Sequence, residues 1–256
     1  MQRGVAMPAE LACHRIDEDG LAVLRVAGAL TLTTAPHLRI SVLKCLADQP
    51  DAVAVDVTRL SAHDDIHLMV LIAAARHAAA WPGVPLIVCA PPPALALALA
   101  RLGIDRYVEV VRDVPEARAR AKAGGLSLHV RQEFSPTAGA VAVARRLVVD
   151  ACTSWGLDDL ASSARLVTSE LVTNAVVHAG TPIYVDVHRR RRHLHVAVRD
   201  FDSRPARLLG PEAETAPGGR GLLIVDTLAS AWGCTPTGDG KVTWASFAMK
   251  PHANSN

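Results

Sequence analysis

The chain has no Cys-x-x-Cys pair, no large excess of either charge, no internal repeat, and no apolar run near the roughly 20 residues that a bilayer-spanning helix needs. Each absence closes off a class of function. The five cysteines, Cys13, Cys45, Cys89, Cys152 and Cys234, are scattered, and none stands at a spacing from another cysteine or a histidine that suggests zinc. They read as buried thiols of a reducing compartment. The most apolar stretch, Met69 to Trp81, carries Arg76 and His77, so it reads as a core-facing helix and no membrane association is expected. Met1 to Pro8 lacks the basic-then-apolar pattern of a secretory signal, which makes a cytoplasmic location the expectation. A formal net charge of +2, from 27 basic and 25 acidic residues, is too small an imbalance to imply nucleic-acid binding.

What is present is a globular composition. Of 256 residues, 50% are hydrophobic and 20% charged, enough for one large domain or two ordinary ones. The boundary falls at Ala121-Lys122-Ala123-Gly124-Gly125, where a charge-rich helical run from Val114 ends in two glycines before a strand-like stretch, Leu126 to Glu133. Residues 1–124 and 125–256 are therefore the expected domains. The run Arg189 to Arg192 lies between two alternating stretches, Ile183 to His188 and His193 to Val198, and reads as a solvated hairpin turn, with an acidic partner surface as the alternative.

In the first half strand and helix signals alternate. Leu21 to Val26, Ala52 to Val57 and Pro85 to Cys89 look like strands; Ala35 to Ala47, Ile66 to Ala80 and Val114 to Ala123 look like helices. Pro91 to Pro93 start a further helix that Gly103 ends. This order favours an α/β domain with a mostly parallel sheet.

Three segments of the second half carry chemistry. In Ser169 to Ala179 the helical period puts Glu170, Asn174 and His178 on one stripe, where a carboxylate and a carboxamide one turn apart offer hard oxygens of the kind Mg²⁺ accepts. Asp200 ends the strand-like run from His193 and can accept a hydrogen bond from an adenine amino group. Gly218-Gly219-Arg220-Gly221 precedes the apolar run Leu222 to Val225, so backbone N–H groups at a helix start can approach a phosphate, with Arg220 adding charge. Taken singly, each segment also fits a plain structural role: a solvated helix face, a strand-end turn, a glycine turn. The order and spacing of all three raise the functional reading.

Together they resemble the GHKL ATPase superfamily, with its Bergerat-type α/β sandwich, and within it the anti-sigma-factor serine kinases related to histidine-kinase catalytic domains. The resemblance covers about residues 125–250 and rests on Glu170 with Asn174, on Asp200 and on Gly218 to Gly221. It implies that ATP and Mg²⁺ are the cofactors, that Asn174 holds the metal and that Glu170 activates the attacking hydroxyl. It also implies that Asp200 selects adenine, with His178, Gly219, Arg220, Gly221 and Leu222 lining the nucleotide. The sequence departs from the family at Asp202, where a glycine is usual, which puts a carboxylate near the base pocket. The threonine of the final strand is displaced by one place to Thr243, which predicts that its side chain turns to the opposite face.

The first half resembles the STAS domain of anti-anti-sigma factors. Its signature falls on Asp56 to Leu68 and keeps Asp56, Thr58, Asp64 and Leu68, but Asp65, Ile66 and His67 replace the Ser-Ser/Thr-Gly triplet. Asp65 stands at the phospho-acceptor position without a hydroxyl, as a partial phosphoserine mimic or as drift. His63, His67 and His77 lack the companions of a metal site.

The function implied is an ATP-binding anti-sigma-type regulator that phosphorylates a serine on a separate STAS anti-anti-sigma protein in a partner-switching pathway. The alternative is a non-catalytic module that sequesters a sigma factor or other regulator, with ATP structural or absent. Residues Ser203 to Pro217 read as a lid, and homodimerisation through the ATP domain, common among relatives, is among the expectations.

Overall fold

A computed structural model of the chain describes residues 11–62, 64–123, 128–190, 192–202, 204 and 221–249. The chain divides into two compact units, Met1–Gly125 and Leu126–Asn256.

The first unit is a five-stranded sheet in the order β1-β2-β3-β4-β5, formed by β1 (Ala12–Glu18), β2 (Leu21–Leu30), β3 (Ala52–Ala62), β4 (Leu86–Cys89) and β5 (Glu109–Val111). Only β1 runs antiparallel to its neighbour. Its hairpin to β2 turns on Asp19 and Gly20, both at positive φ, the backbone a two-residue hairpin needs to match strand twist. Four helices accompany the sheet: α1 (Ala35–Ala47), α2 (Met69–Ala80), α3 (Pro93–Arg101) and α4 (Val114–Ala123). Leu21, Val23, Ala52, Ala54, Ile87 and Cys89 pack with Ala117 of α4, while Ala22, Leu24, Val53 and Val55, on the other face, are buried too. A sheet covered on both faces produces the near-continuous apolar runs seen in its sequence.

The second unit is a five-stranded antiparallel sheet in the order β6-β7-β8-β10-β9. Its strands are β6 (Leu128–Phe134), β7 (Ile183–Arg189), β8 (His193–Asp200), β9 (Ala231–Pro236) and β10 (Lys241–Ala248), and its helices α5 (Ala138–Ser154), α6 (Asp158–His178) and α7 (Gly221–Leu228). Ile183, Val185 and Val187 of β7 and Leu194, Val196 and Val198 of β8 alternate onto one face, where they meet Ala144 and Val148 of α5 and Val167, Leu171 and Val172 of α6. Burying each of the larger side chains contributes about 1.5–3 kcal/mol. Arg145 of α5 donates to the Ser169 hydroxyl of α6, which fixes the rotation of the two helices against each other. α6 thus buries one stripe and turns the Glu170 stripe elsewhere.

At the β7–β8 hairpin Arg189 donates to the Trp155 carbonyl at 2.8 Å, so part of the arginine run is a packing element rather than a solvated turn. No helix among the described residues is long and apolar enough to cross a membrane.

Candidate functional site

α6 holds Glu170 and Asn174 one turn apart, both half-buried, with His178 exposed in its last turn. The Glu170 carboxylate lies against the first residue of α7. A Cβ built on Gly221 would overlap Glu170 Oε2 and stand 3.3 Å from Cδ, so the glycine makes room for the carboxylate. Leu222 is half-buried beside it. Gly218, Gly219 and Arg220 lie outside the described residues, as do 203 and 205–217 of the expected lid.

Asp200 ends β8 and is buried, at 2% exposure. Its Oδ1 accepts from Lys241 Nζ at 2.9 Å and from the Asp202 backbone N–H at 2.9 Å. Sheet register sets this contact, because Lys241 is the residue of β10 directly opposite Asp200. Gly240 permits the crossing: a Cβ there would run into the Asp200 carbonyl and stand 2.6 Å from the Phe201 Cα. Among the described residues the hydrogen bonds to the Asp200 carboxylate fall on Oδ1, and a carboxylate offers about four acceptor positions.

Asp202 is engaged rather than loose in a pocket. Its Oδ1 accepts from the Arg204 N–H at 3.1 Å and Nε at 3.0 Å, and its Oδ2 lies 3.5 Å from Lys241 Nζ. Hydrogen bonds from Arg204 hold this carboxyl well below its usual range, at about 2. Arg204 also donates to the His178 carbonyl at 3.0 Å, tying the end of α6 to the segment after β8. The Phe201 N–H donates to Thr181 Oγ1 at 3.1 Å.

Thr243 corrects an expectation. It pairs with Val198, two residues before Asp200, and so shares the face of Asp200 instead of turning away from it. The displaced threonine does not move to the far side because Lys241, two positions earlier, sets the register against Asp200.

Lys241, Arg204 and Thr181 complete this region and carry no motif that marks them. For Lys241 the signal was its place at the start of the final strand.

Residues 134–247 match the histidine kinase-like ATPase domain, and residues 14–112 match the Mlab, STAS domain. The chain joins a STAS domain to a histidine kinase-like ATPase domain. No curated protein matches it. Among similar solved structures, an anti-sigma factor antagonist from Mycobacterium paratuberculosis is 22% identical, with a TM-score of 0.40, over 44% of this chain and 95% of that chain. The anti-sigma factor antagonist SpoIIAA in its unphosphorylated form is 18% identical at a TM-score of 0.38, over 44% of this chain and 97% of that one. RsbS from Moorella thermoacetica gives 20% and 0.37, over 43% and 95%.

A histidine kinase-like ATPase domain implies ATP. The donor chemistry is compatible with it: the Asn174 carboxamide offers a hard oxygen of the kind Mg²⁺ accepts, and the described hydrogen bonds to Asp200 leave acceptor positions on its carboxylate.

In the STAS domain, Asp56 Oδ1 accepts from the Thr58 N–H at 3.0 Å and from its hydroxyl, at a point where β3 gains one residue on β2. Asp64 caps the short 3₁₀ turn Asp65–Leu68, accepting from the Ile66 N–H at 3.0 Å. Asp65 is ion-paired with Arg101 at the end of α3. His63 lies outside the described residues.

Proposed function

We propose that this chain is an ATP-dependent serine-protein kinase of a partner-switching pathway, whose substrate is a separate STAS protein that retains its acceptor serine. The observation that carries this reading is the Glu170 carboxylate at the start of α7, on the helix face it shares with Asn174. Pure binding does not require a base there.

When bound, Mg·ATP supplies the γ-phosphoryl group. Asn174 would hold Mg²⁺ through its side-chain oxygen. Glu170 accepts the proton of the serine hydroxyl as the serine oxygen bonds to the γ-phosphorus, and the bond from that phosphorus to the β-phosphate bridging oxygen breaks, leaving ADP. Such transfers depend on positioning and charge stabilisation, which rigid placement of Glu170 and Asn174 serves. Asp200 reads the base through Oδ2, and Asp65 leaves the chain's own STAS domain without a hydroxyl at the usual acceptor position. A sigma factor is the expected second client, and pairing through the ATPase domain the expected assembly. Nothing in this scheme requires a membrane or nucleic acid, and it belongs in the cytoplasm.

A second reading is favoured by Lys241. Its ammonium already neutralises the base-reading carboxylate, which suits a module that sequesters its partner without turnover. The two separate in one experiment: the full chain, labelled Mg·ATP and a serine-bearing STAS protein. Transfer of label that Glu170→Ala abolishes, with ATP still bound, supports the kinase. A stable complex without transfer supports sequestration.

A further inference from the structure

The face of the second sheet turned away from α5 and α6 carries a row of imidazoles that the nucleotide site does not use. His129 of β6, His188 of β7 and His195 of β8 stand directly opposite one another, and Ser246 of β10 continues the row. His195 is held through Nδ1, which contacts Ser246 Oγ at 2.8 Å, while its Nε2 has no hydrogen-bond partner among the described residues. His188 is not settled. It is 4% exposed, and among the described residues neither ring nitrogen has a hydrogen-bond partner. Leaving a buried polar group unpaired is costly, so the site has something to gain from a ligand.

Asp186, two residues earlier on β7, projects from the same face and is 2% exposed. Its Oδ1 lies 3.0 Å from His129 Nε2. One ligand atom from each of His129, Asp186 and His188 falls within 4.8 Å of the other two.

We propose that His129, Asp186 and His188 form a divalent-cation site of the zinc type on this face, pinning the edge strand β6 to β7. Two imidazoles and a carboxylate are a borderline donor set suited to Zn²⁺, with a fourth position for water. Tetrahedral coordination at Zn²⁺ bond lengths needs ligand atoms about 3.4 Å apart. The ligand atoms now lie within 4.8 Å of one another, with the His129 and His188 rings stacked at a centroid distance of 3.8 Å and planes at 11°, so binding draws them closer together. His129 is exposed and already reaches Asp186 through Nε2. Arg131 opposes the ion, with Nε 3.8 Å from Asp186 Oδ1, although its guanidinium also lies 4.6 Å over the Tyr184 ring.

The test uses the full-length protein without a histidine tag, stripped with EDTA. It is titrated with Zn²⁺ against a chromophoric chelator, and separately with Co²⁺ as a spectroscopic substitute. One equivalent bound at micromolar Kd or tighter is expected, with a Co²⁺ spectrum free of thiolate charge transfer and a raised Tm. His129→Ala, made at an exposed position, weakens binding at least about tenfold, the scale seen even for losing a partner of a ligand. Arg131→Gln tightens it. Absence of stoichiometric binding, a thiolate signature, or affinity that His129→Ala leaves unchanged overturns the site.

Discussion

Lys241 Nζ stands 2.9 Å from Asp200 Oδ1, and the two side chains are 9% and 3% exposed. A buried ion pair of this kind is poor evidence of net stabilisation, but losing one partner strands a charge. Lys241→Met should therefore lower the unfolding free energy by about 3 kcal/mol. Adding Asp200→Asn should recover part of that loss, and urea titrations of the three variants and the wild type, treated as a cycle, measure the coupling. Equal, additive losses would show that the pair is not coupled.

Nucleotide affinity should follow the acceptor rather than the ion pair. Asp200→Asn converts one acceptor oxygen to a donor amide, and calorimetric titration of Mg·ATP should show affinity reduced at least about tenfold, or about 1.4 kcal/mol. Unchanged affinity would mean that Asp200 does not read the base.

Gly221→Ala tests the seat of Glu170. The added methyl meets the carboxylate end of a flexible side chain, so stability should change by less than about 1 kcal/mol while the carboxylate is displaced. Phosphoryl transfer to a STAS partner should fall by about 100-fold, the lower range for losing general-base catalysis. A variant with normal transfer would remove Glu170 from that role.

The thiols divide by burial. Cys45, Cys89 and Cys152 are buried, and burial pushes them up to about 11, 12 and 11, so almost no thiolate exists at neutral pH. Iodoacetamide applied to the native chain at pH 8 should modify Cys13 and Cys234, which are partly exposed, and reach the other three only in denaturant. Peptide mass spectrometry reads the pattern, and native labelling of Cys89 would contradict it.

Asp65 and Arg101 form an exposed pair, with side chains 33% and 70% accessible. Arg101→Ala should change stability by less than about 1 kcal/mol. The pairing also weakens the phosphoserine-mimic interpretation, because the carboxylate charge already faces a guanidinium of its own domain. Thermal denaturation of Arg101→Ala supplies the check.

The apolar runs of β2, β3 and β4 and the helix Ala35–Ala47 were legible because a parallel sheet buried on both faces writes its pattern into consecutive residues. β1 was less so: its residues alternate between half-buried and exposed at a sheet edge, and only Asp19-Gly20 marks its hairpin. α5 went unread although it supplies Ala144 and Val148 to the core, since its sequence carries no chemical motif.

At the site, the sequence by itself determined the helical stripe of Glu170 and Asn174 and the placement of Asp200 at a strand end, because both follow from local periodicity. Only the tertiary structure decided that Lys241 faces Asp200, that Thr243 shares its side of the sheet, and that His129, Asp186 and His188 converge. Apart from Asp186 and His188, which share β7, those contacts join residues on different strands, and their register is fixed by packing of the whole sheet against α5 and α6 rather than by any neighbour in the chain.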